Sequence, residues 1–398
     1  MIRLLHKNKL KNLADKIKYG ELIAVPTETV YGLAGNGLDE AAVKKIYDLK
    51  GRPEIKPLSI MVHDSSWIDR FCFDVPDVAY FLADKYWPGP LSIVLKSLPV
   101  VPEIVRAGGS TVSLRCPDNQ LTLNLIEESD LPLAAPSANP SGMPSPKSAD
   151  EVKNYFGDSI EVIDGGKCSL GIESTIIDLS CNPYKVLRAG ALSEEKLFES
   201  FIDYLYIVGL TGQTGSGKSE VLNMFSENNY LVIDCDKVYH DLLLSDKEML
   251  SDLEFIFPEA FFDGNLDRKA LASIVFKNKQ DLIRLNNITH TYVCRKVKST
   301  LKDYALSGGK FAVIEAIELI SSGLGELCDK KIALVASEDV RLDRIIKRDN
   351  LSYEEALLRV RSQKDEKYYL SNCDVVIDNS DTLEALKNKI NDEVFANE

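Results

Sequence analysis

The sequence predicts an α/β protein of two domains, and three observations carry that reading. Its 398 residues exceed what one ordinary hydrophobic core organises. Short strand-like runs alternate with helical patterns through both halves, as in layered α/β folds. A glycine-rich run, GLTGQTGSGKSE at residues 209–220, lies about midway between a strand-like and a helical segment.

Composition narrows the class. The chain is 45% hydrophobic and 27% charged, and no apolar stretch approaches membrane-spanning length. The start, MIRLLHKNKLKNLADKIKYG, has basic residues but neither a continuous apolar segment nor a small-residue cleavage site. It reads as an amphipathic helix rather than a signal peptide, so a cytoplasmic protein without a membrane partner is expected. Eight cysteines occur singly, without C-x-x-C, as suits free thiols in a reducing compartment. The net charge of −14 argues against strong direct nucleic-acid binding.

The first domain is expected over residues 1–200. Runs such as ELIAVPT, LSIMV, LSIVLK, TVSLR, LPLAAPS, EVIDGG and ESTIIDLS read as strands of an α/β or α+β layout, with helical patterns such as DEAAVKKIYDLK between them. After YKVLRAGAL, the stretch EEKLFESFIDYL reads as a connecting helix. The second domain is expected over 205–398. It opens strand, glycine loop, helix, strand, continues helically to about residue 305, and closes with strands FAVIEAI, KIALVAS and CDVVIDN between helices. That order predicts a doubly wound parallel sheet with a helical insertion.

The glycine run matches G-x-x-x-x-G-K-[ST], a phosphate cradle. Gly212, Gly215 and Gly217 give the backbone freedom to curl N–H groups, Ser216 included, around phosphate oxygens at a helix N-terminus. Lys218 is expected at the β/γ-phosphates of ATP and Ser219 on Mg²⁺. In VIDCDK, at the end of the next strand, Asp236 is a candidate base; Asp234 is a metal-water ligand, an alternate base or a helix cap. In RLDRIIKRDNLSYEEALLRVRSQ, Arg344 and Arg348, then Arg359 and Gln363, fall four apart on helical faces. That spacing suits either a lid over phosphates or a solvated charged surface.

These stretches, with His290 in NNITHTYV and the closing CDVVIDN, resemble dephospho-CoA kinase over residues 205–390. The resemblance implies a P-loop NTPase-type fold with a helical substrate insertion and lid, and ATP-dependent phosphorylation of the 3′-hydroxyl of dephospho-CoA with Asp236 as base. Arg348 and Arg359 are carried over to ATP. Three departures stand out: Glu220 after the P-loop serine, Thr291 after His290, and IEAIELISSGL in place of D-x-P-L-L-x-E, where Glu315 supplies the acid.

In the first half, VPTETVYGLAG, LKGRPEIKPLSIM, STVSLRCPD, APSANPSGMPSP, GIESTIIDLS and VLRAGAL place hydroxyl, amide and guanidinium groups beside glycine or proline at strand ends. Lys50, Arg52, Lys56, Arg115 and Arg188 sit in these settings and suit a triphosphate. Together the stretches resemble the YrdC-like threonylcarbamoyl-AMP synthase family over residues 10–195. The resemblance implies a twisted mixed-sheet α/β domain that makes threonylcarbamoyl-AMP from L-threonine, bicarbonate and ATP, indirectly serving a tRNA threonylcarbamoyl-transfer complex. By position, Thr29, Arg115 and Ser174 lie on the threonine side. Arg52, Lys56, Thr111, Ser137, Asn139, Ser145 and Arg188 lie on the ATP side, with Lys50 beside them. Met61 stands where many members carry histidine. The expectation is a bifunctional enzyme; the alternative is an RNA-binding first half joined to a kinase of another nucleoside or nucleotide.

Overall fold

In a computed structural model, residues 7–361 and 363–394 are described. The chain divides into two compact units: one runs to Tyr204 and takes in Leu306–Gly308, the other holds Leu205–Ala305 and the chain from Gly309 onward. Of the N-terminal stretch read as a helix, Lys7–Lys18 is helical, and residues 1–6 lie outside the described part.

The first unit contributes strands β1 (Ile23–Val25), β2 (Gly32–Asn36), β3 (Ser59–Met61), β4 (Leu91–Lys96), β5 (Thr111–Arg115), β6 (Leu133–Ala134), β7 (Glu161–Val162), β8 (Thr175–Asp178) and β9 (Lys185–Arg188). They form one mixed sheet in the order β7-β1-β2-β6-β3-β5-β4-β8-β9. Parallel pairs β1/β7, β3/β5 and β4/β8 are joined by antiparallel ones. Strand β2, but for Asn36, falls within VPTETVYGLAG, one of the glycine-bearing stretches expected at strand ends. A Cβ on Gly35 would meet the Leu22 side chain at 2.8 Å, so that side chain would have to shift; β2 pairs β1 and β6. Helices Lys7–Lys18 and Gln120–Ser129 close the core with Leu13, Ile17, Leu125 and Ile126 against Ile23 and Val25. The predicted connector is the helix Glu194–Tyr204.

The second unit adds β10 (Tyr206–Gly212), β11 (Leu231–Asp234), β12 (Phe261–Phe262), β13 (Asn265–Leu266), β14 (Phe311–Glu315), β15 (Lys330–Val335) and β16 (Val375–Asp378). A five-stranded sheet runs β11-β14-β10-β15-β16, parallel at every pair. Its strands read as near-continuous apolar runs because both faces are covered. Val208, Leu210, Val313 and Leu334 meet Phe225 and Leu386 from the flanking helices Lys218–Glu227 and Leu383–Val394. The expected insertion between β11 and β14 is helical, with one short hairpin, β12/β13, that the sequence did not reveal. No helix among the described residues is long and apolar enough to cross a membrane.

Candidate active sites

In the second unit the glycine loop joins the C-terminal end of the central strand β10 to the helix Lys218–Glu227. In an all-parallel sheet that edge faces the ligand crevice. Gly215, Gly217, Lys218 and Ser219 line a cleft of about 570 Å³ there, together with Asp234, Asp236, Glu315, Arg348 and Arg359. Gly212 is a different case. At φ +132°, a Cβ would lie 2.1 Å from the Leu334 carbonyl oxygen, so this glycine lets β10 approach β15 and does not line the cleft. Ser216 is fully buried, and its Oγ has no hydrogen-bond partner.

Lys218 folds back along its own loop, donating to Gly212 O at 3.1 Å and lying 3.7 Å from Glu315. Burial lowers its ammonium pKa, and the Glu315 charge opposes that shift. Burial pushes the Glu315 carboxyl up to about 7, with Lys218 pulling the other way. Asp236 is also raised, first by burial and then by the charge of Asp234. Asp234 caps the helix Cys235–Ser245 through the Lys237 N–H at 3.0 Å while lining the same cleft. A carboxyl raised in this way suits a base that must take a proton from an alcohol.

The arginines divide into two sets. Arg348 and Arg359 line the cleft, but Asp349 holds both: Arg348 through Nε and Nη2 at 2.7 and 2.8 Å, Arg359 through Nη1 at 2.7 Å. Arg344, which also lines the cleft, donates to the carbonyls of Gly215 and Asn379. Gln363 accepts the Thr214 N–H at 2.8 Å and also bonds Arg341. The second predicted helical face is thus split between cleft and loop. Glu220 lies exposed in the first helical turn at the cleft edge.

A second cavity of about 390 Å³ shares Asp236 and Ile317 with the cleft and extends into the helical insertion. Leu243, Leu271, Val275 and Val293 make it largely apolar; Arg268 and His290 add polar groups. Burial lowers the His290 pKa, and Glu318 opposes the shift.

In the first unit, Thr29, Arg52, Arg115, Ser137, Ser174 and Arg188 converge on a pocket of about 180 Å³, into which Met61 also faces. Arg115, Ser174 and Arg188 come from the ends of separate strands of one sheet, Thr29 and Ser137 from loops between strands, and Arg52 from just beyond the helix Glu40–Lys50. Arg115 is held by a residue that sequence reading had not singled out, Glu28, at 2.6 Å; both side chains are under 10% exposed. Glu28 also accepts the Asp118 N–H, and Arg115 donates to Gly89 O. Arg188 pairs with Glu173 and donates Nη2 to Ser174 Oγ at 3.1 Å, while Ser145 donates to Glu173 at 3.0 Å. Glu173 was likewise not anticipated; its place between two strand ends in GIEST was the only cue.

Five expected residues do not line that pocket: Lys50, Lys56, Thr111, Asn139 and Ser145, the last of which reaches it only through its bond to Glu173. Lys50 is buried and bonds the Ser137 and Asn139 carbonyls, so it pins the S-x-N loop instead of facing a ligand. Burial and the Arg52 charge lower its pKa to about 8. Asn139 is buried and donates to Pro140 O at 3.1 Å and to Met143 O at 2.5 Å. Lys56 is exposed, and its carbonyl receives Arg52 Nε at 3.2 Å. Thr111 starts β5, at the end away from Arg115.

Comparison with known proteins gives each unit relatives. The family described as "Telomere recombination" (Sua5/YciO/YrdC) matches residues 15–190, and the family described as "Dephospho-CoA kinase" (CoaE) matches residues 206–385. A threonylcarbamoyl-AMP synthase of Pyrococcus abyssi is 46% identical over 190 residues, covering 48% of this chain and 56% of that protein. The chain therefore spans little more than half the length of that relative. A putative threonylcarbamoyl-AMP synthase of Methanocaldococcus jannaschii is 38% identical over 48% of this chain and 90% of its own length. A dephospho-CoA kinase of Fusobacterium nucleatum is 35% identical over 47% of this chain and 95% of its own length. The chain belongs to two families in tandem, the Sua5/YciO/YrdC family through residues 15–190 and the dephospho-CoA kinase family through residues 206–385.

Proposed function

We propose that the chain is a bifunctional transferase: its first unit forms threonylcarbamoyl-AMP from L-threonine, bicarbonate and ATP, and its second phosphorylates the 3′-hydroxyl of dephospho-CoA with ATP. The observation that carries this reading is that each unit has its own anion-facing site with its own cations, Arg52, Arg115 and Arg188 in one and Lys218, Arg348 and Arg359 in the other.

In the first site, the threonine amine and bicarbonate give a carbamate, whose oxygen attacks the α-phosphate of ATP as pyrophosphate leaves. A carbamate decomposes in water, so a pocket closed around it protects the intermediate. Arg115, oriented by Glu28, suits the amino-acid carboxylate, with Thr29 and Ser174 nearby. Arg52 and Arg188 suit charge developing on the phosphates.

In the second site, the acceptor occupies the partly apolar cavity with its hydroxyl at Asp236, where that cavity meets the phosphate cleft. Asp236 takes the hydroxyl proton, the alkoxide oxygen attacks the γ-phosphate, and ADP leaves with Lys218 offsetting its charge. Mg²⁺ neutralises phosphate charge when bound. Ser219, and Asp234 through water, offer it hard oxygen donors at the cleft. No group of three or more His, Cys, Asp or Glu able to hold a metal occurs among the described residues. Such a donor set fits an ion that arrives on nucleotide oxygens and keeps its waters.

Both reactions should be assayed on the full chain and on segments cut near residue 203. Threonine- and bicarbonate-dependent pyrophosphate release, and dephospho-CoA-dependent ADP release, are the expected results. A purified chain without the first loses the synthase reading; one that makes ADP only with another nucleoside loses the acceptor.

A further inference from the structure

Three consecutive carbonyls of the phosphate loop are each tied to a side chain from far along the chain. Thr214 O receives Arg341 Nε at 3.1 Å, Gly215 O receives Arg344 Nη1 at 3.2 Å, and Ser216 O receives Asn379 Nδ2 at 2.7 Å. Asn379, just beyond β16, is buried and is itself fixed twice. Its N–H donates to Val335 O at 2.9 Å, and its carbonyl receives Arg344 Nη2 at 3.1 Å.

A trans peptide is planar, so the N–H of each residue points opposite to the carbonyl before it. Tying the oxygens of Thr214 and Ser216 to one side therefore turns the N–H groups of Gly215 and Gly217 to the other, and both glycines line the cleft. The Ser216 N–H turns inside the loop, to Gln213 O at 3.2 Å. Gly217 has φ +99°, and a Cβ there would lie 2.3 Å from Asn379 Nδ2, so the asparagine occupies the space that a side chain at 217 would need.

We infer that Asn379 is a positioning residue of the kinase site: by holding the Ser216 carbonyl it aims the Gly217 N–H at the nucleotide phosphates and keeps a carbonyl oxygen from facing them. This rests on the nucleotide-binding reading of the cleft. Without the amide donor, the buried Ser216 carbonyl loses its bond, and the 216–217 peptide is free to rotate that oxygen toward an anion.

The test uses the full chain. Asn379→Leu keeps approximate shape, adds no charge and removes the donor. It is expected to weaken Mg²⁺–ADP binding, measured by calorimetry, about tenfold. The KM for ATP should rise in parallel, while the KM for dephospho-CoA and threonine-dependent pyrophosphate release stay within twofold of the parent. A merely structural defect would lower affinity for both kinase substrates and the melting temperature together. If the leucine variant does not fold, Asn379→Ser and Asn379→Ala provide a smaller pair with and without a donor. ADP affinity within twofold of the parent in a folded leucine variant, or equal affinity in the serine and alanine pair, overturns the inference. ADP binding needs no acceptor, so a chain inactive on dephospho-CoA whose ADP affinity still depends on Asn379 keeps this inference and loses only the proposed acceptor.

Discussion

Replacing Glu28 with Gln puts the organisation of the synthase site to a quantitative test. Glu28 and Arg115 meet at 2.6 Å with side chains 6% and 8% exposed. Removing one charge of such a pair leaves a largely buried guanidinium without its counter-charge, at a cost of about 3–5 kcal/mol. Glutamine still offers Arg115 and the Asp118 N–H an acceptor, so the lower end applies, about 3 kcal/mol or two decades in the unfolding equilibrium of the first unit. Both tryptophans, Trp67 and Trp87, lie in that unit, so their emission during urea unfolding reports it within the intact chain. The unfolding midpoint should fall clearly, and the KM for threonine in pyrophosphate release should rise at least about tenfold as the arginine loses its fixed direction. The double variant Glu28→Gln/Arg115→Met removes both charges. It should recover much of the lost stability and none of the threonine affinity. An unchanged midpoint together with a KM within twofold of the parent would refute the argument.

Three further outcomes follow from the kinase unit. Lys218→Ala should reduce ADP formation by at least about a hundredfold and leave synthase turnover unchanged; parallel loss of both in a folded variant would mean the sites are coupled. Asp236 must be ionised to act as base, so kcat/KM should fall as pH drops through its raised pKa. Asp234→Asn removes one of the two influences that raise it and should move that acid limb to lower pH; a limb that stays put or moves upward contradicts the assignment. Asp349→Asn should free Arg348 and Arg359 from their shared carboxylate. These pairs are about half exposed on the arginine side and worth no more than about 1 kcal/mol, so the KM for ATP should fall by at most about fivefold. A rise in that KM would show that Asp349 holds the arginines in their working positions.

Much of the fold was legible because its signals are local. Apolar runs bounded by turn residues marked nearly every strand, and the glycine loop between strand and helix fixed where the second site sits. The exceptions also have physical causes. Strand β2 hides in GLAGN because its two glycines interrupt the apolar pattern, and the β12/β13 hairpin is too short to show a period. The residue types at the sites were legible, whereas their partners were not. Glu28 meets Arg115 across 87 residues, Lys50 reaches Asn139 across 89, and Asn379 reaches Ser216 across 163. A single sequence says which groups could bind an anion, but whether one faces a ligand or a carbonyl is decided by long-range packing. Lys50 reads the same in either role.

The tie between Arg188 and Glu173, with Ser145 on the same carboxylate, bears on what the first site accepts. A visiting anion must compete with one the protein already holds. A monoanion exchanges one single charge for another and gains little, whereas a triphosphate brings several charges at once. In the proposed synthase, that built-in carboxylate would favour a polyanionic nucleotide over the small anions of the surrounding solution.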